Sequence, residues 1–309
     1  MSKRAVVFSG QGAQFVGMGK DLAEAYPSCQ ALFRKADEAL GVGLSKLCFE
    51  GPIDSLTRSD NCQPAIFVVS VACLQALRER KPDLAFAAAA GLSLGEWSAL
   101  HAAGVLTFED TLRVLRARGR FMQETCEARA GGMVSVMGLS EPVLREVCAA
   151  AGVEIANLNS ADQTVLSGPK ERIADAERVA KEKGAKKTVV LNVAGAFHSS
   201  LMAPAAAKLQ AFLDGVTFRP PAMPVVANVT GQPHGDVESI RRAMVDQVTH
   251  SVRWVSCIEW MKGQGVSSYV ECGPGRVLTG LIKRIDPAAA LVNVQDRPTL
   301  DKAVEPLGG

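Results

Sequence analysis

Residues 84–90 form an apolar run that passes through Gly91-Leu92-Ser93-Leu94-Gly95 into Glu96-Trp97-Ser98-Ala99-Leu100, a stretch that reads as helix. A G-x-S-x-G at such a junction makes a sharp strand-to-helix turn: a Cβ at either glycine would run into neighbouring backbone, and the serine hydroxyl is left standing at the strand end. That turn commits the chain to an α/β architecture, because the strand must lie in a sheet and the helix must pack on it. The same pattern also occurs in ordinary glycine turns. The strand before it and the helix after it are what single out Ser93 as a candidate nucleophile. The first main-chain N–H groups of that helix, Leu94 first, point at any oxyanion forming on a bound acyl group.

The alternation extends in both directions. A short strand at residues 5–8 enters Ser9-Gly10-Gln11-Gly12, helical patterns follow near 20–26, 29–40 and 63–80, and after the turn come helices at 96–103 and 108–127. This order predicts a parallel sheet covered on both faces. From about residue 130 the rhythm changes to strand 133–137, helix 141–151, strands 153–158 and 164–167, helix 170–183 and strand 187–193. That is the β-α-β-β-α-β order of a ferredoxin-like unit. The expected organisation is therefore a large α/β domain, residues 1–128 and 196–309, with a small ferredoxin-like domain, residues 129–195, inserted into it. In the second part of the large domain, strands are expected at 225–228 and 268–271, with helices at 240–249 and 255–264. A cleft between the two domains is the expected substrate site.

With 309 residues, 48% of them hydrophobic, the chain can bury a large core. Its net charge of +2 comes from lysines and arginines spread along the sequence, which argues against nucleic acid as a partner. Met1-Ser2-Lys3-Arg4 leads straight into a strand without an apolar signal region. The longest apolar stretch, residues 64–77, is broken by Ser70 and Gln75 and falls short of the about 20 residues a bilayer span requires. The expectation is a cytoplasmic protein with no membrane association. None of the eight cysteines forms a C-x-x-C pair or a zinc-type spacing with histidine, so no metal is expected and the thiols read as reduced core residues.

A serine needs a base within reach. Of four histidines, His101 falls in a short helix, His234 in a Gly/Pro turn and His250 after a polar helix end. His198 follows the flexible Val193-Ala194-Gly195-Ala196-Phe197 where the chain re-enters the large domain, and can line the cleft as a base or serve as a core or helix-capping histidine. Arg118 has Val114, Leu115, Phe121 and Met122 at i−4, i−3, i+3 and i+4, so its guanidinium emerges on an inward face. A buried cation needs an anion, either an internal Asp or Glu or the carboxylate of a substrate. Gly10-Gln11-Gly12 fails the register of a dinucleotide fingerprint, but a glycine-flanked loop at a strand end can offer the Gln11 N–H as a second oxyanion donor.

Assembled, these stretches resemble the malonyl-CoA:acyl carrier protein transacylase family and, more distantly, the acyltransferase domains of polyketide and animal fatty acid synthases. The likeness runs from Val7–Gln14 through Gly91–Leu100, Arg118–Gln123, Asn157–Asn159, Ala196–Ser199 and Val225–Thr230 to Gly273–Leu278. It implies an α/β-hydrolase-like large domain and a ferredoxin-like small one. It also implies that Ser93 is acylated, that His198 acts as base and then acid, and that Arg118 holds the malonyl carboxylate, with Gln11 and Leu94 as oxyanion donors. By the same resemblance an oxygen of Gln247 orients the histidine, Phe197 excludes a methyl branch, and Asn159 belongs to the substrate site. The family usually has a histidine before the nucleophile, where this chain has Leu92. The implied partners are malonyl-CoA and acyl carrier protein, with no cofactor, and the enzyme is expected to act as a monomer. Lys186, Lys187, Arg276, Lys283 and Arg284 are candidates for steering an acidic carrier. A discrete polyketide acyltransferase, a serine acyl-thioester hydrolase and a catalytically silent scaffold are the alternatives. The hydrolase has no need of a carboxylate clamp at Arg118, and the scaffold has no need of all three residues.

Overall fold

In a computed structural model, which describes residues 3–307, the chain builds two sheets. Met1 and Ser2, which open the sequence read above, and the last two glycines lie outside the described residues. In chain order the first elements are β1 (Lys3–Phe8), α1 (Lys20–Ala25), α2 (Pro27–Leu40), α3 (Leu44–Glu50), α4 (Ile53–Thr57), α5 (Ser59–Arg80), β2 (Ala88–Gly91), α6 (Leu94–Ala102) and α7 (Phe108–Ala128). There follow β3 (Gly131–Met137), α8 (Glu141–Ala151), β4 (Glu154–Ser160), β5 (Gln163–Pro169), α9 (Ile173–Glu182) and β6 (Lys187–Val190). The chain closes with α10 (Ala203–Leu213), α11 (Val237–Asp246), α12 (Trp254–Gly263), β7 (Val266–Cys272), α13 (Val277–Ile285), β8 (Ala290–Val294) and α14 (Arg297–Val304).

The first sheet is parallel throughout, in the order β2-β1-β7-β8. Ala5, Val6, Val7 and Phe8 at its centre are fully buried, as expected of a sheet covered by helices on both faces. The second sheet is antiparallel, in the order β4-β5-β3-β6, and carries α8 and α9 over a separate cluster that includes Val134, Leu144, Leu166 and Ala176. Both sheets match the mixed fold expected from sequence.

Helix α5 is apolar nearly all round and correspondingly buried, a central helix instead of a surface one. Pro64 within it has no N–H for the carbonyl of Asp60 four residues earlier, and Arg116 of α7 donates to that carbonyl at 2.7 Å. At Gly119 of α7 an added Cβ would strike the carbonyl oxygen of Ser59. This close crossing sets Gln63 of α5 beside Arg118 of α7.

Several expected strands are shorter than their apolar runs. Only Ala88–Gly91 of residues 84–91 pair in the sheet, because Pro82 and a turn from Leu84 N to Lys81 O precede them. Strand β6 ends at Val190, opposite Val134; Leu191 makes one further bond to Met133 O and the chain turns away. Residues 225–228 form isolated bridges in place of a strand. Pro224 has no N–H to donate, and Ala227 N already bonds Gln232 O, which folds the segment back on itself.

Candidate active site

Ser93 sits between β2 and α6 with φ 53°, and His198 has φ 56°; among the described residues these are the two non-glycine residues in the left-handed region. Such backbone is strained for a side-chain-bearing residue and persists where the surroundings over-determine it. At the serine they do. A Cβ on Gly91 would collide with the backbone of Gly95, and one on Gly95 with the carbonyl of Phe8, so strand and helix approach as closely as the sequence pattern requires. Asn228 brackets the turn: its Oδ1 accepts from Ser93 N at 2.7 Å and its Nδ2 donates to Gly91 O at 2.8 Å.

Three buried side chains converge here. His198 Nε2 lies 2.9 Å from Ser93 Oγ, and its Nδ1 lies 2.8 Å from the main-chain carbonyl of Gln247. A carbonyl only accepts, so Nδ1 carries the proton and Nε2 presents its lone pair to the serine hydroxyl. Burial, followed by the neighbouring Arg118 charge, pushes the imidazole pKa down to about 4, which keeps it neutral at physiological pH. Arg118 donates to Ser93 Oγ at 3.1 Å, to Gln247 Oε1 at 3.0 Å and to Gln63 Oε1 at 2.7 Å. It is 1% exposed, and among the described residues its Nε has no partner and no carboxylate pairs with it directly. The internal acidic partner left open by the sequence is therefore not in contact. Glu96 acts on Arg118 across Gln247, and burial still lowers the guanidinium pKa to about 10, which leaves it charged at neutral pH.

The serine and histidine open on a cavity of about 500 Å³, also lined by Gln11, Leu92, Met133, Asn159, Leu191 and Phe197. Gln11 follows β1, with its side-chain amide held by Ser59 Oγ at 3.2 Å. Leu94 is fully buried, so any part it plays falls to its N–H, one of the first-turn donors that a helix leaves unpaired. Phe197 is buried beside the histidine, and Asn159 on β4 has a buried Oδ1 with no partner among the described residues. Gln247 is brought in by its main-chain oxygen at His198, while its side chain bonds Arg118. Leu92 packs against the core that includes Ala90 and Val226.

Sequence reasoning assigned no role to Gln63, Glu96, Asn228 or His234. Glu96 had a visible signal: a carboxylate inside a run of Leu, Trp and Ala that is otherwise wholly apolar or small. Among the described residues no cluster of His, Cys, Asp and Glu has the arrangement of a metal site, and no helix is long and apolar enough to cross a membrane. The eight cysteines are free thiols, seven of them buried; burial raises Cys62 to about 12 and Cys126 to about 11, which removes them as nucleophiles.

The family model described as acyl transferase domain matches residues 5–285. The malonyl CoA-acyl carrier protein transacylase of Bacillus subtilis is 40% identical, over 99% of this chain and 98% of that protein. The protein of the same description from Escherichia coli K12 is 42% identical, over 92% and 93%. Among solved structures, the transacylase of Coxiella burnetii superposes with a TM-score of 0.96 at 35% identity, covering 100% of this chain and 98% of that one. A malonyl-transacylase in complex with a holo type II PKS acyl-carrier protein superposes with a TM-score of 0.95 at 39% identity, covering 99% and 100%.

Proposed function

The chain belongs to the acyl transferase domain family, and from that premise we propose that it transfers the malonyl group of malonyl-CoA to the phosphopantetheine thiol of acyl carrier protein, supplying fatty acid synthesis. The observation that carries this reading is the convergence of a neutral imidazole and a permanent cation on one serine hydroxyl. The imidazole activates the serine, and the cation selects an acyl group that brings its own anion.

Ser93 Oγ attacks the thioester carbonyl while its proton passes to His198 Nε2. The main-chain N–H groups of Gln11 and Leu94 stabilise the oxyanion of the tetrahedral intermediate. Collapse breaks the C–S bond, and His198 returns the proton to the departing coenzyme A thiolate. The acyl-enzyme now has an ester oxygen in place of a hydroxyl, a poorer acceptor, so Arg118 exchanges its bond to Ser93 for the malonyl carboxylate. That pairing supplies the anion which the buried guanidinium lacks inside the protein. The carrier thiol then gives its proton to His198, attacks the ester and regenerates the serine. Phe197 fills the space beside the histidine that a methyl branch would need, and Asn159 offers its unpaired oxygen to the acyl-pantetheine. Residues 129–195 act as the small domain that walls the cleft.

Initial-rate kinetics test the two half-reactions. Varying malonyl-CoA at several fixed concentrations of holo carrier protein should give parallel double-reciprocal lines; intersecting lines would require a ternary complex and rule out the acyl-enzyme route.

A further inference from the structure

We propose that Glu96 and His234 form a positioning pair that dictates which way the Gln247 amide points, and through it where Arg118 stands; this rests on Arg118 being the malonyl clamp. Both side chains are 1% exposed, and His234 Nε2 lies 2.7 Å from Glu96 Oε1. The other carboxylate oxygen accepts from Gln247 Nε2 at 2.5 Å and from Asn228 N at 3.2 Å.

Gln247 sits where three site residues meet. Its main-chain oxygen holds His198, its Oε1 accepts from Arg118, and its Nε2 donates to Ser93 O at 3.0 Å as well as to Glu96. An ionised carboxylate can only accept, so it requires the amide nitrogen on its side and turns the amide oxygen toward the guanidinium. The opposite orientation would set oxygen against carboxylate and carbonyl, and an NH₂ group against a cation. His234 fixes the carboxylate in that place by supplying a donor to Oε1, the oxygen with no other partner among the described residues. It does so from the loop after Asn228, where His234 N bonds Val225 O and Ala227 N bonds Gln232 O, so the ring is carried back over α6.

On this account His234 touches neither serine nor substrate, yet it sets the selectivity of the acyl pocket. The test compares His234→Leu, which removes the donor at similar volume, with His234→Gln, which can restore one. Glu96→Gln serves as an independent second variant that keeps the shape of the side chain. Each is assayed for KM and kcat with malonyl-CoA and acetyl-CoA and for thermal unfolding, alongside Arg118→Ala. Loss of a positioned hydrogen-bonded contact to a charge should lower the malonyl-over-acetyl preference of His234→Leu and Glu96→Gln by about tenfold or more, chiefly through KM for malonyl-CoA. His234→Gln should recover most of that preference. If His234→Leu and Glu96→Gln melt earlier but keep the native preference while Arg118→Ala loses it, the pair is structural only and the inference fails. If Arg118→Ala also keeps the preference, the clamp reading fails and takes the inference with it.

Discussion

The two walls of the cleft are built on different principles. On the parallel-sheet side, Ser93, Glu96, Arg118, Asn228 and Gln247 are all nine-tenths or more buried and joined by hydrogen bonds, so each polar group is aimed by the next. On the antiparallel side the cavity meets Met133, Val165 and Leu191 together with the uncharged amides of Asn157, Asn159 and Asn192, and the buried oxygen of Asn159 has no partner among the described residues. The strand at that sheet's edge, β6, leaves Val190 53% exposed. A network of buried charge tolerates no loose member, whereas an uncharged wall contributes shape. The buried charge is therefore gathered on one wall, and the uncharged lining that shapes the cavity on the other.

Removing the nucleophile should separate the walls most completely. Ser93→Ala is expected to lower transfer by about 10⁶-fold, the order seen when a serine nucleophile is deleted, with the melting temperature little changed. Measured transfer within tenfold of native would place the chemistry elsewhere. Arg118→Met comes next: losing one partner of a buried charge contact costs about 2–5 kcal/mol, roughly 30- to 4,000-fold in malonyl selectivity over acetyl. Competition between the two thioesters measures it directly.

The histidine gives a smaller and signed effect. Because His198 titrates near 4 in the folded chain and near 6.5 when unfolded, the unfolded state binds the extra proton between those values. Stability from this group is therefore full above about pH 6.5 and is lost as pH falls toward 4, on the order of 3 kcal/mol. The same shift predicts that kcat/KM keeps its plateau well below pH 6 before falling. Arg118→Met, by removing the neighbouring charge, should move that acid limb upward, and an unmoved limb would detach the two residues. On the opposite wall, Met133→Ala should cost about 2–5 kcal/mol of stability through the cavity it leaves. Transfer at saturating substrate is expected to change only a few-fold, since Met133 borders the cavity and touches no reacting group. A loss as large as that of Arg118→Met would erase the distinction between the walls.

Much of this was legible in the sequence because local rules express themselves locally. The elbow glycines, the inward Arg118 and the β-α-β-β-α-β run of residues 131–190 each announce themselves within a few turns of chain. What escaped depends on contacts between distant segments. Asn228 bonds Ser93 across 135 residues, and Glu96 meets His234 across 138, distances at which periodicity carries no information. His234 lies in a Gly/Pro turn, yet tertiary folding buries its ring. The apolar run before the elbow overstated its strand for a related reason, since Leu84 and Phe86 pack partly buried against the core from a loop, and apolar character alone does not specify pairing.

The most direct measurement is intact-protein mass spectrometry after brief mixing with malonyl-CoA, acetyl-CoA or methylmalonyl-CoA, on the native protein and on Ser93→Ala. A malonyl adduct is expected on the native protein only, discharged by holo carrier protein, with little adduct from the other two thioesters. An adduct that persists on Ser93→Ala, or native protein acylated equally by acetyl-CoA, would contradict the claim that Ser93 and Arg118 together make and select the acyl-enzyme.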